Sequence, residues 1–287
     1  MRTPEEWAKW RLGLVLEALS RAKRSGQAAR GPCPFCERQR GHDRPQNMAY
    51  NLAKQAWFCQ RCKRGGYLDG ADHKEAAEEP LEAVPPPEGY TPLWTDDTVN
   101  SITFRDAIDY ARRRKITKTL AHKARLGVTV DGPLAFRLIV PVFLPGSDLW
   151  AGYIARDWTG KAENPYRYPS GMHRGRVLYH PEALTADREG PVLLVESFMD
   201  TVLHWDDAAA FMGKPSHEHV RLLLATESPR PMAVCLDGDA WREGEALAMR
   251  LTFEGKRAGF VRLPAAMDPN EIDPSWLREE ARRCVGM

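Results

Sequence analysis

Two apolar stretches of this chain run out into acid. VLLV (192–195) is followed at once by Glu196, and AVCL (233–236) by Asp237, Gly238 and Asp239. Runs of that length suit strands buried on both faces, and carboxylates gathered at the ends of neighbouring strands repel one another unless a cation joins them. Oxygen-only ligands at that density suit Mg²⁺ or Mn²⁺, and metal-assisted phosphoryl chemistry is the common use. Asp200 follows Glu196 by one helical turn, and Asp268 lies in MDPNE, just beyond VRLP. Taken singly, Asp200 and Asp268 read equally well as helix N-caps. Three acids at equivalent strand ends do not reduce to capping.

A second constellation lies far upstream. Cys33-Pro-Phe-Cys36 and Cys59-Gln-Arg-Cys62 are two CxxC pairs separated by 22 residues. Each pair can place two thiolates on one tetrahedral ion, so Cys33, Cys36, Cys59 and Cys62 predict a closed, structural zinc ribbon rather than a catalytic site. His42 reads as a loop residue between them. Trp57 and Phe58 precede the second pair, while Arg61, Lys63 and Arg64 surround it. Rings beside cations suit single-stranded nucleic acid, whose bases stack and whose phosphates pair with Lys and Arg. The alternative for the two aromatics is plain packing of a small core.

These groups need elements to hold them. The chain has 287 residues, 43% hydrophobic and 28% charged, with a net charge of +2. That is ordinary for a soluble globular protein, and no apolar run approaches a membrane span. The N-terminus reads as an amphipathic helix with Trp7, Trp10, Leu14 and Ala18 on one face, not as a secretory signal, so a cytoplasmic location is expected. Basic clusters recur at Arg21–Arg24, Arg38–Arg44, Arg61–Arg64 and Arg112–Lys118, enough to approach a polyanion. Residues 79–98 contain three consecutive prolines and read as a linker. The expected organisation is 1–78 as N-terminal helix and zinc ribbon, 99–188 as a basic α/β subdomain, and 189–287 as the catalytic domain. Thr103–Arg114 reads as a helix, and RLIVPVF (137–143) with LWAGYIA (149–155) reads as a hairpin turning at Pro145-Gly146. From residue 191 apolar strands alternate with helices at 198–206, 216–225 and 244–254, predicting a mainly parallel sheet flanked by helices and an α/β fold class. Ligands of such sheets collect at the carboxyl ends of the strands.

Glu196 after one strand and Asp237-x-Asp239 after a later one resemble the TOPRIM domain, and with the CxxC ribbon in front the chain resembles bacterial and bacteriophage primases of the DnaG type. The likeness runs in order over most of the chain: RLIVPVF, GYIARDWTG, NPYRYPSG, HRGRVLYHPEAL, VESFMD, FMGKPS, CLDGDA and LPAAMDPNE. Two positions depart from the family pattern. Ser197 stands where Gly is usual, and Asn270 where a second Asp is usual after Asp-Pro.

The resemblance implies a DNA primase, a DNA-directed RNA polymerase making short primers on single-stranded DNA from ribonucleoside triphosphates. It implies Glu196, Asp237 and Asp239 as holders of Mg²⁺ or Mn²⁺, with Asp200 and Asp268 tuning or extending the site. Arg137, Arg156, Arg167, Arg174 and Arg176 would grip triphosphate and template. No GxxxxGK[ST] occurs, so a separate helicase is implied. The rivals are a nuclease built on the same carboxylates and a non-catalytic zinc and TOPRIM clamp of the recombination-mediator type.

Overall fold

The computed structural model describes residues 4–35, 46–53, 55–60, 64–68, 80–264 and 267–287. Cys36, His42, Arg61, Cys62 and Lys63 lie outside them, as does the side chain of Trp7. The chain divides into two compact units, Met1–Pro80 and Leu81–Met287. Among the described residues no helix is long and apolar enough to cross a membrane.

The first unit is a helix, α1 (Pro4–Ser20), and an antiparallel sheet whose strands follow in chain order: β1 (Lys23–Ser25), β2 (Ala28–Gly31), β3 (Met48–Asn51), β4 (Ala56–Cys59) and β5 (Gly65–Tyr67). Its small core holds Val15, Leu19, Ala29, Met48 and Tyr50, together with Cys33 and Cys59. The buried face of α1 runs over Val15, Ala18 and Leu19, so Ala18 of the predicted stripe is buried while Trp10 and Leu14 lie half-buried at its side.

The second unit carries two sheets. The antiparallel one has the order β10-β9-β8-β7-β6, formed by Thr91–Pro92 (β6), Gly127–Thr129 (β7), Arg137–Phe143 (β8), Trp150–Asp157 (β9) and Tyr166–Arg167 (β10). The predicted hairpin is present, with Val140 opposite Ile154, a bulge at Val142/Phe143, and Gly146 in the turn at φ +67°. Pro141 is tolerated in β8 because β7 pairs only as far as Ile139, leaving no ladder partner there to demand an N–H. Helices α2 (Asp96–Val99), α3 (Arg105–Arg113) and α4 (Lys118–Lys123) precede the hairpin. The predicted helix at 103–114 opens instead with a 3-10 turn at Ile102–Phe104.

The proline-rich stretch does not hang free. Val84 donates its N–H to the Trp150 carbonyl, β6 pairs with β7, and Leu93 and Trp94 are buried. Prolines spare an edge strand the N–H groups it would otherwise leave bare, while Leu93 and Trp94 gain by burial.

The parallel sheet has the order β12-β11-β13-β14: Val192–Val195 (β11), Ala208–Ala210 (β12), Met232–Val234 (β13) and Ala258–Phe260 (β14). Around it come α5 (Glu182–Thr185), α6 (Phe198–Thr201), α7 (His217–Ala225), α8 (Trp241–Phe253) and α9 (Pro274–Cys284). Alternation along the strands feeds two cores. Leu193, Val195, Ala233 and Cys235 face a core shared with α6, α9 and the antiparallel sheet. Val192, Leu194, Val234 and Leu236 face a second, under α5, α7 and α8. The helix expected over 198–206 stops at Thr201, and β12 takes up three alanines that carried no strand signal.

Candidate active site

Three loops leave the carboxyl ends of adjacent strands β11, β13 and β14, and each delivers acid. Glu196 follows β11 directly and is 8% exposed. Asp237 is half-buried and Asp239 exposed, opening the 3-10 turn Gly238–Ala240. Asp268 stands exposed at the start of the turn Pro269–Glu271. Gly238 is not left-handed. Its N–H donates to the Met267 carbonyl at 2.9 Å, tying the β13 loop to the β14 loop.

The acids feel one another. Asp237 is pushed up to about 8, by burial first and then by the negative charges of Asp200, Glu196, Asp268 and Asp239. Burial also raises Glu196, opposed by the Lys214 ammonium and by a hydrogen bond from the Asp237 N–H. Asp268 is raised by burial and by Asp200, Glu271 and Asp239. Glu196 Oε1 and Asp237 Oδ1 are buried and find no hydrogen-bond partner among the described residues. Buried carboxylate oxygens of this kind are costly without a proton or a cation to share, which is the fit expected of Mg²⁺ or Mn²⁺. Among the described residues no three acidic, histidine or cysteine side chains converge as a closed ligand set, so the fit rests on those two oxygens.

Asp200 differs in kind. It is 2% exposed, and both oxygens accept hydrogen bonds from within the protein. Ser197 has φ −124° and ψ 160°, an extended conformation open to any residue, so the serine imposes no restriction on this turn.

The predicted arginines separate into two classes. Arg137 is buried, 4% exposed, and donates to the carbonyls of Ala155, Pro165 and Asn164 at 3.1, 3.2 and 3.1 Å. Its guanidinium is engaged in holding the 157–165 loop. Arg156 is half-buried, donating to the Tyr110 hydroxyl at 3.3 Å and lying over the Tyr166 ring. Arg167 is exposed and donates to the Pro133 carbonyl. Arg174 is exposed and lies over Tyr168, and Arg176 shares its 3-10 turn.

Residues outside the predicted set also line this region. Arg113 and Arg114, at the end of α3, line both a cleft of about 430 Å³ with Arg156 and a smaller one of about 210 Å³ with Asn270 and Glu271. They belong to the Arg112–Lys118 cluster, and Arg114 acts on Asp268 electrostatically, a proximity that only the packing of α3 reveals. Lys214 reaches Glu196 electrostatically from the loop after β12, where Gly213 at φ +127° makes the turn. A lysine set between Gly213 and Pro215 was the available signal.

In the first unit, Cys33 and Cys59 are buried beside Tyr50, whose hydroxyl both of them perturb. The ends of β2 and β4 thus bring one cysteine of each pair to one place, which fits a shared zinc ion. Phe58 is 44% exposed, Trp57 packs against Phe35, and Arg64 lies over Phe35 at 5.0 Å.

No protein-family model matches the chain, and no curated protein matches it in sequence. Solved structures do match in fold. The chain is similar to the zinc-binding and RNA polymerase domains of the Aquifex aeolicus primase, at 18% identity and TM-score 0.53, over 100% of this chain and 85% of that one. It is similar to a DnaG catalytic core at 19% identity and TM-score 0.50, over 66% of this chain and 73% of that one. A third is the RNA polymerase domain of Mycobacterium tuberculosis primase DnaG in complex with double-stranded DNA, at 17% identity and TM-score 0.50, over 65% and 76%. These are likenesses of fold: a mixed α/β architecture with parallel and antiparallel sheets.

Proposed function

We propose that this chain is a DNA primase: a DNA-templated nucleotidyltransferase that joins ribonucleotides into short primers on a single-stranded template. The observation that carries the reading is the pair of buried, unpartnered oxygens of Glu196 and Asp237 at the ends of adjacent parallel strands, on a fold like that of primase polymerase domains. Glu196 and Asp237, with Asp239 beside them, would hold Mg²⁺ or Mn²⁺. When bound, the cation supplies charge neutralisation for the attacking 3′ oxygen and the leaving pyrophosphate.

The chain's own residues do the rest. Arg156, Arg167 and Arg174, backed by Tyr166 and Tyr168, present cations for triphosphate and template phosphates. Arg113 and Arg114 add two more on the side of the acids. Asp200 and Asp268 shape the electrostatics of the pair. In the first unit Cys33, Cys36, Cys59 and Cys62 would hold structural zinc, and Trp57, Phe58, Arg61, Lys63 and Arg64 would meet the template. A replicative helicase would be a separate protein.

The test is priming on single-stranded templates with labelled ribonucleotides and Mg²⁺ or Mn²⁺. Wild-type protein is expected to make template-dependent oligoribonucleotides, and Asp237→Ala to lose at least ~10²-fold, as removal of a group worth several kcal/mol requires. Cleavage of DNA without synthesis would replace this reading with a nuclease. Binding with neither synthesis nor cleavage, across templates and metals, would replace it with a clamp.

A further inference from the structure

Asp200 sits at the carboxyl end of the parallel sheet with both oxygens already engaged in hydrogen bonds within the protein. Its Oδ2 accepts from the Ser197 N–H at 3.0 Å and the Ser197 hydroxyl at 2.8 Å. Its Oδ1 accepts from Asn270 Nδ2 at 2.7 Å, and the Asn270 N–H supplies a fourth donor. Four donors offset part of the cost of burying this carboxylate, although burial still outweighs them and raises its pKa.

The bond also has a place in the topology. Asp200 lies on α6, the segment after β11, whereas Asn270 lies in the turn Pro269–Glu271, reached after β14. In the sheet those two strands flank β13, the strand that leads to Asp237. The Asp200–Asn270 pair therefore spans the loop that carries Asp237, and the Gly238-to-Met267 bond fastens that loop to the same segment.

We propose that Asn270 is a positioning residue: its amide docks the turn bearing Asp268 onto Asp200, assembling the acid-bearing loops before any cation arrives and removing Asp200 from the ligand set. The choice of amide matters. A carboxylate at position 270 would bring two like-charged oxygens to hydrogen-bond distance, an arrangement that holds only with a proton or a cation between them. Asn270 makes the same junction with a neutral donor. The cation pair itself, Glu196 and Asp237, rests on the function proposed above; the clamp does not.

Thermal unfolding of the full chain separates the two. Wild type, Asn270→Ala, Asn270→Asp and the reversed pair Asp200→Asn/Asn270→Asp are compared in buffer stripped of divalent cations and then titrated with Mg²⁺ or Mn²⁺. Asn270→Asp is expected to melt roughly 4 °C or more below wild type without cation, the size of a lost charged hydrogen bond in a domain of this length, and to gain more from cation than wild type does. The reversed pair restores one amide-to-carboxylate bond. It is expected to melt near wild type without cation and to lose the excess cation response, which a merely space-filling role for Asn270 does not predict. If Asn270→Asp fails to fold, recovery of the reversed pair above Asn270→Ala decides in favour of the clamp, and failure to recover decides against it. The clamp is overturned if Asn270→Asp melts with wild type in the absence of cation, or if its cation-induced rise does not exceed that of wild type. A wild type indifferent to cation beside a responsive Asn270→Asp would leave the clamp standing and remove the cation reading of Glu196 and Asp237.

Discussion

His219 Nε2 donates to the carbonyl of Arg174 at 2.8 Å and to that of Val177 at 3.2 Å, while its Nδ1 accepts from the Ser216 N–H at 3.1 Å. The first turn of α7 thus carries the short turn that presents Arg174. The arrangement requires a neutral imidazole, and burial holds its pKa down accordingly.

His219→Ala is therefore expected to weaken binding of single-stranded DNA or nucleotide about as much as Arg174→Ala does, although His219 is buried. Fluorescence anisotropy on both single variants and the double variant checks this. Strong non-additivity is expected, because one residue acts through the other. Independent, additive losses would show that His219 does not work through Arg174.

The acids make stability fall as pH rises. Asp237 lies at about 8 when folded against an ordinary 3.8, so the folded chain holds its proton more tightly than the unfolded chain. Its contribution is present at low pH, is lost between about 4 and 8, and levels off above that. Asp237→Asn is expected to melt above wild type without divalent cation, with a gain that grows from pH 5 to pH 8 and then stays level. Taking the difference between variant and wild type cancels the opposite trend of His204, which burial lowers to about 4. Saturating Mg²⁺ or Mn²⁺ should shrink the gain. Melting curves across pH measure it, and a gain independent of pH would contradict the coupled acids.

Arg230 bolts the far end of the parallel sheet. It is 4% exposed, reaches Asp207 at 2.6 Å, and donates to the carbonyls of Ala183, Gly190 and Pro191. Arg230→Ala takes the guanidinium away from those carbonyls and leaves the partly buried Asp207 with only the longer, more exposed Arg188 pair at 3.5 Å, and is expected to cost about 3 kcal/mol in chemical denaturation. Arg156→Ala, at a half-exposed position, should cost less than about 1 kcal/mol while weakening nucleic-acid binding.

On the proposed primase reading, Cys59 should matter more for starting a primer than for extending one. Cys59→Ser is expected to lose bound zinc, measured by metal analysis, and to lower initiation at least about tenfold, while extension of a supplied primer partly survives. Equal loss of both activities would argue against a template-reading role for the first unit.

Much of the scaffold is legible in the chain. RLIVPVF and LWAGYIA announce a hairpin through long apolar runs around Pro145-Gly146, and VLLVE and AVCLDGD announce buried strands through the abrupt change from apolar residues to acid. Ala208–Ala210 announces nothing, because alanine has neither the branching nor the bulk that marks a strand. Its pairing with β11 comes from packing on both faces. The helix at Phe198 stops after one turn for the same kind of reason: the chain must turn back to deliver β12.

The sequence by itself determined which residues can do chemistry: Glu196, Asp237 and Asp239 as acids at strand ends, two CxxC pairs, and a run of arginines. Side-chain type, periodicity and spacing are local properties, and they suffice for that. Only the tertiary structure decided how each group is employed. Arg137, which in sequence reads like any other arginine of the basic block, is sealed inside against three carbonyls, while Arg113 and Arg114 line clefts beside the acids. Asp200 and Asn270, 70 residues apart, meet at 2.7 Å. Whether an ionisable side chain faces substrate or spends its hydrogen bonds inside depends on which distant loop lies over it, and the pattern of neighbouring residues does not encode that.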